Sequence, residues 1–383
     1  MSSDLYFMRL ALGLARRGFG RTSPNPMVGA VLVRDGAVIG QAWHQRAGEA
    51  HAEIEALRDA QRRAGAGGGA RGATLYVTLE PCSTHGRTPP CTGAIIAAGI
   101  RRVVVAARDP NPAHAGRGFA ILQRAGLEVS AGLLAAESAE MNEAFEHWIL
   151  RRTPLVTVKA AMSLDGKLAT VAGESRWLTG EKARRLGMKL RAGADAILVG
   201  VKTVLADDPS LTVRLPGFKE KRWWRIILDP RARTPLTAKV VSDEHAASTI
   251  VVVTKAAPAR RAAALGGRVR LLRAPARADG IDLRWLLRKL GREEVTSLLV
   301  EGGGETNAAF LSAGLAGRAA FFYAPLVLGG RGAPKAVAGE GVGSVRAAPV
   351  LLAPRWRRIG ADIFLSARVP ETARKDKYVY RYR

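Results

Sequence analysis

Two cysteines, one histidine and one glutamate are the residues whose types and spacing point to chemistry. Cys82 and Cys91 are the only cysteines in 383 residues, and they bracket the stretch PCSTHGRTPPC with eight residues between them. Upstream, GEAHAEIEAL sets His51 and Glu53 in a His-Ala-Glu triplet. One His and two Cys form a ligand set for a catalytic zinc whose fourth position stays open to water. A carboxylate two positions beyond that His can shuttle the water's proton. The short signature of zinc deaminases is His-x-Glu followed by Pro-Cys-x-x-Cys, and the longer Cys spacing here departs from it. Residue types alone leave other readings open. A His beside a Glu is commonly a solvated pair, and positions i and i+2 share no face of a regular helix, so both reach one metal only at an irregular first turn. Free cysteines are often buried as small hydrophobes. A structural zinc would draw on four protein ligands and leave Glu53 without a role.

The elements around these residues have to bring them together. Apolar runs MVGAVLVRDGAVIG, TLYVTLE, RRVVVAARDP and LEVSAGLL read as strands, with helices expected over Ala50 to Ala64 and Gly118 to Ala125. The sheet is therefore α/β, covered by helices. The Arg-Asp-Gly of Arg34 to Gly36 predicts a hairpin, and Ala64 to Gly72, AGAGGGARG, a surface loop. His51 falls where a helix opens, and Pro81-Cys82 where the strand TLYVTLE ends. An amphipathic helix over Ala135 to Leu150 closes this half. Arg151 to Pro154 marks a boundary, because Pro154 disfavours continuing the helix and the strand pattern LVTVKAAMS follows. In the second half ADAILVG, RIILDP, STIVVVTK, VRLLRA, VTSLLVEGGG, RAAFFYAPLVLGG and GADIFLSARV read as strands with helices between several of them. The run Gly302-Gly303-Gly304 follows one of these strands and opens an apolar helix. Backbone N–H groups at such a turn suit a phosphate, although a glycine turn after a strand is commonly only a tight connection.

Composition excludes several classes. Two cysteines cannot build a disulfide scaffold, and MSSDLYFMRLALGLARRG lacks the apolar core and cleavage site of a secretory signal, so a cytoplasmic location is expected. No window approaches the ~18 apolar residues of a membrane span. Lys and Arg exceed Asp and Glu by 59 to 33, a net charge of +26, which suits a phosphorylated ligand or a nucleic acid. A rival reading is therefore a deaminase of RNA bases with a basic binding surface. It would need stacking aromatics, whereas 6% of residues are aromatic and the arginines are scattered. A zinc-stabilised scaffold without activity is the other rival.

Longer stretches decide among these. TSPNPMVGAVLV, AGEAHAEIEAL, TLYVTLEPCSTHGRTPPC and RDPNPAHAGRGFAILQRAGLEV resemble, in order, the deaminase half of the bifunctional riboflavin-biosynthesis deaminase/reductase family. VKAAMSLDGKLAT, GESRWLTG, GVKTVLADDPSLTVR and VEGGGETNAAFL resemble its reductase half, so the resemblance covers nearly the whole chain. It implies a cytidine-deaminase-like α/β/α zinc domain over residues 1–150, a dihydrofolate-reductase-like α/β domain over 154–370 and a basic C-terminal extension over 371–383. It implies two reactions on a phosphorylated pyrimidine nucleotide intermediate: hydrolytic deamination of a ribosylated diaminopyrimidinone 5'-phosphate, then reduction of the product's ribosyl group to ribityl. The cofactors implied are Zn2+ and NADPH, and the assembly a homo-oligomer through the reductase domain, with no membrane or specific nucleic-acid partner.

Carried over by position, the resemblance makes His51, Cys82 and Cys91 the zinc ligands and Glu53 the proton carrier. It makes Asn25 the amide that anchors the ring, and gives the loop between Cys82 and Cys91 a share in the substrate pocket. Ala161, Trp177, Thr203, Asp207, Gly303, Gly304, Glu305, Thr306 and Asn307 then face the cofactor. Ser175, Arg191, Leu211, Arg214 and Glu301 face the substrate, with Arg191 and Arg214 expected as a phosphate fork. The chain departs from the family at Thr84-His85, where many members have His directly after Cys-Ser, and at Ala316-Gly317-Arg318, where an acidic pair is usual.

Overall fold

The Asp35-Gly36 turn folds as the sequence implies, with both residues at positive φ (51° and 77°). It joins β1 (Gly29–Arg34) to β2 (Ala37–Trp43), with Arg34 opposite Ala37. This is the backbone that a two-residue hairpin needs. The computed structural model describes residues 3–64, 69–85, 89–216, 218, 223–277 and 280–370. The expected basic extension over 371–383 lies outside the described residues, as do 65–68 of the glycine loop and 86–88 between the two cysteines. The chain divides into two compact units, Met1–Arg152 and Thr153–Arg383.

In the first unit β3 (Thr74–Leu79), β4 (Arg102–Ala107) and β5 (Glu128–Ala131) complete a five-stranded sheet of order β2-β1-β3-β4-β5. The hairpin side is antiparallel and β3-β4-β5 parallel. The pleat sorts its residues. Ala30, Leu32, Leu75, Val77, Val103 and Val105 pack with Ala52, Ala56, Cys91, Ile95 and Leu122. Val31, Val33, Tyr76 and Val104 pack on the other face with Phe7, Met8 and Ala11. One face is thus covered by α2 (Ala52–Ala64), α3 (Cys91–Ala97) and α4 (Arg117–Arg124), and the other by α1 (Ser3–Ala15). The contact is close enough to demand glycine: a Cβ on Gly40 would sit 2.5 Å from the Ala56 carbonyl oxygen.

The single helix expected over Ala135 to Leu150 is two, α5 (Ala135–Met141) and α6 (Glu143–Arg151). Side-chain competition explains the break. Asn142 accepts from the Met27 N–H at 2.7 Å and donates to the Met27 carbonyl at 3.0 Å, tying the helix junction to the loop before β1.

The second unit is built on a nine-stranded sheet. Its elements are β6 (Leu155–Ser163), α7 (Glu181–Gly193), β7 (Ala196–Gly200), α8 (Val201–Asp207), β8 (Trp224–Leu228), α9 (Lys239–Ser242), β9 (Thr249–Val253), α10 (Ala259–Gly266) and β10 (Arg270–Arg273). The short strands β11 (Ala276–Arg277) and β12 (Gly280–Ile281) pair with each other, and α11 (Leu283–Arg292), β13 (Ser297–Val300), α12 (Gly304–Ser312), β14 (Arg318–Ala324), β15 (Leu352–Ile359) and β16 (Asp362–Arg368) follow. The sheet runs β10-β9-β8-β7-β13-β6-β14-β16-β15, parallel as far as β14 and antiparallel beyond it. Buried on both faces, its parallel strands are continuous apolar runs such as TIVVV. Period two along β6 sends Val156, Val158, Ala160 and Met162 into one core and leaves Lys159 and Ala161 on the opposite face, toward α7. Gly317, in the segment that departs from the family, has a packing role, since a Cβ there would lie 2.6 Å from Leu155 Cδ1. Among the described residues no helix is long and apolar enough to cross a membrane.

Candidate functional site

Two helix starts and one strand end converge in the first unit. His51 stands just before α2 and its carbonyl accepts from the Glu55 N–H at 3.0 Å, so it occupies the cap, where the backbone is not yet helical. This resolves the i, i+2 difficulty: His51 and Glu53 straddle the start of the helix. Pro90, in an extended conformation, is the cap residue before α3, and Cys91 opens the helix. Cys82 follows β3 by three residues, its sulfur accepting from the Cys91 N–H at 3.2 Å. His51 Nδ1 lies 3.3 Å from Cys91 Sγ and 3.5 Å from Cys82 Sγ. All three donor atoms fall within 4.8 Å of one another. The two nitrogen–sulfur separations lie within about 0.2 Å of the edge of a tetrahedron about zinc, about 3.5 Å for such a pair of donors.

The electrostatics fit the same ion. The Cys82 thiol is pulled down to about 4, first by the hydrogen bond from Cys91 and then, against burial, by His51. Cys91 is pushed up by the same hydrogen bond and by burial. The pair therefore gives up one proton readily and resists a second negative charge, which a divalent cation would compensate. Glu53 is 3% exposed, and burial raises its pKa against the opposing field of His51. A carboxyl so placed, beside the ligands and with elevated proton affinity, suits proton transfer near neutral pH.

Asn25 joins this site through a residue that sequence reasoning missed. His44 is 2% exposed; its Nδ1 lies 3.0 Å from the Ala50 carbonyl and its Nε2 3.0 Å from Asn25 Nδ2. A carbonyl only accepts, so Nδ1 carries the hydrogen and Nε2 takes one from the Asn25 amide. That leaves Asn25 Oδ1 as an acceptor without a hydrogen-bond partner among the described residues. The His44 ring meets the His51 ring edge-on at 5.4 Å. Glu80, also missed, accepts from the Asp109, Gly116 and Gly118 N–H groups at 3.0–3.1 Å and holds the loop before α4 against the segment that carries Cys82. Thr84, at the departure from the family, bonds His114 on that loop at 3.1 Å, while His85 is exposed.

In the second unit a cavity of 580 Å³ lies on the Lys159/Ala161 face of β6 and beyond the C-terminal ends of β7 and β13. Open α/β sheets bind ligands at such strand ends. It gathers Ala161, Ser175, Trp177, Arg191, Thr203, Asp207, Leu211, Arg214, Glu301 and Gly303 from the sequence expectation. Gly304, Glu305, Thr306 and Asn307 do not line it. The three glycines divide accordingly. A Cβ on Gly302 would strike Thr306 Cβ at 2.5 Å and one on Gly304 the Lys335 carbonyl oxygen at 2.2 Å, whereas one on Gly303 would meet only Thr203 Oγ1, at 4.0 Å. Gly302 and Gly304 are packing glycines, and Gly303 leaves the backbone open beside Thr203 on the cavity wall. Asn307 is buried and donates to the Ala336 carbonyl at 2.8 Å.

The two arginines expected to fork around a phosphate have different surroundings. Arg191 places Nε and Nη2 on the Glu301 carboxylate at 2.9 and 2.7 Å, and Nη1 on the Thr212 carbonyl at 2.9 Å. Burial raises the Glu301 pKa, but the fields of Arg191 and then Lys159 outweigh it and hold the carboxyl at about 2. The Arg191 fork is thus occupied by protein. Arg214 lines the cavity and has no ion-pair or hydrogen-bond partner among the described residues. Lys159, whose charge within the apolar run LVTVKAAMS was the available signal, lies 3.9 Å from Glu301 on the cavity wall. Lys159, Arg176, Arg184, Arg191, Arg214 and Lys239 outnumber Asp207, Asp208 and Glu301 there, which favours a phosphorylated ligand. Trp177 is 68% exposed with the Arg184 guanidinium 4.8 Å above its ring, a rim suited to a flat ligand.

Comparisons with known proteins cover both units. Residues 1–107 match the cytidine and deoxycytidylate deaminase zinc-binding region, and residues 154–365 match the RibD C-terminal domain. The riboflavin biosynthesis protein RibD of Bacillus amyloliquefaciens is 43% identical over 381 residues, 99% of each chain. Its counterpart in Escherichia coli is 42% identical over 85% of this chain and 89% of that one. Among solved structures, Acinetobacter baumannii RibD superposes with a TM-score of 0.84 at 36% identity, covering 96% of this chain and 99% of that one. A diaminohydroxyphosphoribosylaminopyrimidine deaminase/5-amino-6-(5-phosphoribosylamino)uracil reductase from Thermotoga maritima superposes at 0.83 with 33% identity, over 96% and 99%.

Proposed function

The chain belongs to the RibD family of riboflavin-biosynthesis proteins, and we propose on that premise that it is a bifunctional enzyme. Residues 1–150 deaminate a ribosylated diaminopyrimidinone 5'-phosphate, and residues 154–370 reduce the ribosyl group of the product to ribityl. The observation that carries the reading is the presence in one chain of a His-Cys-Cys set beside a buried carboxyl and of a separate cation-rich cavity. The RNA-deaminase alternative accounts for only the first of these.

His51, Cys82 and Cys91 would hold zinc, which would supply the Lewis acidity that makes water nucleophilic at neutral pH. Asn25, its amide nitrogen engaged by His44, offers Oδ1 to a ring N–H of the pyrimidine and so orients the base. Glu53 carries the proton from the attacking water to the ring nitrogen and the departing ammonia, and burial gives it the proton affinity for both transfers. In the second unit NADPH would supply the hydride, and Gly303, Thr203 and Trp177 on the cavity wall are among the residues that would hold it. Arg214 binds the substrate's 5'-phosphate. Lys159, 3.9 Å from Glu301 on the cavity wall, would give its proton to the ribose ring oxygen as that oxygen's bond to C1' breaks and the hydride forms a C1'–H bond in its place. We place this protein in the cytoplasm, where free thiols persist. We also propose a homo-oligomer through the reductase unit, a reading supported by the exposed edge strand β15 with Trp356 59% exposed.

Zinc content is the first check. The full chain should carry one zinc, and the Cys82→Ser, Cys91→Ser double variant should lose it, since no soft ligand remains. Stoichiometric zinc in that variant would contradict the ligand set. Arg214→Met should raise the reductase KM for the phosphorylated nucleotide about 10-fold or more, the scale of a lost charge-assisted contact. Deamination should be unaffected. Wild-type reduction that proceeds equally well on phosphorylated and dephosphorylated nucleotide would remove Arg214 from this role.

A further inference from the structure

The wall that carries Leu211 and Arg214 has no regular structure, yet three successive carbonyls in it are each held by a side chain. Arg225 Nη1 donates to the Ser210 carbonyl at 3.0 Å, Trp223 Nε1 to that of Leu211 at 3.0 Å, and Arg191 Nη1 to that of Thr212 at 2.9 Å. Leu211 sits at φ 51°, in the left-handed region, which a leucine occupies only when its surroundings compel it. Two of the three donors lie in the chain entering β8. Neither Trp223 nor Arg225 lines the cavity.

Arg225 is committed entirely to this brace. Its side chain is 0% exposed. Nε donates to Thr249 Oγ1 at 2.9 Å, Nη1 and Nη2 form a fork on Asp243 at 2.7 Å each, and Nη2 also reaches the Val240 carbonyl at 3.2 Å. Together with Ser210 that accounts for all five guanidinium N–H groups. A buried arginine with every donor engaged fixes the position of whatever it touches. The same bracket holds the start of the wall, where the Lys239 N–H, at the start of α9, donates to Asp208 Oδ1 at 2.9 Å.

We propose that Trp223 and Arg225 are positioning residues of the reductase site, which hold the 208–214 segment so that Arg214 faces the cavity. This rests on the reductase reading above. It extends the machinery to residues outside the cavity, in β8 and just before it, and makes the left-handed turn at Leu211 the element they set.

The test uses the full chain loaded with zinc and NADPH and supplied with the already deaminated nucleotide. Trp223→Phe removes the indole N–H and keeps an aromatic ring. It should raise KM for the nucleotide about fivefold or more with kcat nearly unchanged, the scale of one lost hydrogen bond that orders the site. Arg225→Lys, which keeps a charge for Asp243 and gives up the fork, should do the same. Placed in an Arg214→Met background, neither change should raise KM further, because the residue it positions has gone. Wild-type KM in whichever of the two variants folds overturns the proposal. So does a KM rise that persists in full in the Arg214→Met background, since the effect would then not pass through Arg214. Failure of the wild-type chain to oxidise NADPH on this nucleotide would instead count against the reductase reading itself, so the two failures are distinguishable.

Discussion

Replacing Glu53 by Gln should lower deamination by roughly 10²–10⁴-fold, the usual scale of general acid–base catalysis, and leave zinc content and fold intact. The amide matches the carboxyl in shape, and Glu53 is not one of the three donor atoms that cluster for the metal. What the variant loses is a buried group able to take and return a proton, the property that burial reinforces by raising its pKa. Supplied with deaminated nucleotide, the same variant should oxidise NADPH at the wild-type rate, because none of the residues lining the reductase cavity belongs to the first unit. Ammonia release within a few-fold of wild type would show that the proton moves through another group. Loss of reduction in folded, zinc-loaded protein would mean that the two chemistries share a site.

Arg191→Met should destabilise the second unit by about 3–5 kcal/mol, the cost of leaving a buried carboxylate without its partner. Glu301 is 9% exposed and would keep only Lys159, at 3.9 Å. The effect depends on pH in a defined direction. Folding lowers the Glu301 pKa from 4.5 to about 2, so its stabilising contribution is complete above about 4.5 and is lost as pH falls toward 2. The wild-type chain should therefore lose stability through that window more steeply than Arg191→Met, whose Glu301 no longer has the depressed value. Adding Glu301→Gln to Arg191→Met should recover part of the loss, because no buried charge then stands unpaired. Denaturant unfolding at pH 7 and at about pH 3, inside that window, measures both effects. Equal stability of Arg191→Met and wild type would remove the pair from its structural role.

How far the sequence could be read follows from how local each signal was. The hairpin at Asp35-Gly36 and the alternating strands of the first sheet were legible because turn chemistry and period two are written in adjacent residues. His51, Cys82 and Cys91 could be put forward together because they fall near element ends and PCSTHGRTPPC matches the family motif, and the structure brings their donor atoms within 4.8 Å of one another. The break at Asn142 was not, since it depends on a contact with Met27, far off in sequence. The same is true of His44, a lone histidine until Asn25 and Ala50 surround it. In RIILDP nothing marks Arg225 as buried, because its partners Asp243, Thr249 and Ser210 arrive from three other segments. The pairing of Arg191 with Glu301, 110 residues apart, was likewise not legible in the sequence.

The central claim, two successive chemistries in two units of one chain, is tested most directly by a single progress curve. Wild-type protein with zinc and NADPH is given the ribosylated diaminopyrimidinone 5'-phosphate, and ammonia and NADPH are followed together. The account predicts that ammonia appears first, that NADPH oxidation follows after a lag, and that the two end equimolar. NADPH consumed without ammonia, or ammonia released with NADPH left untouched to the end of the reaction, would contradict it.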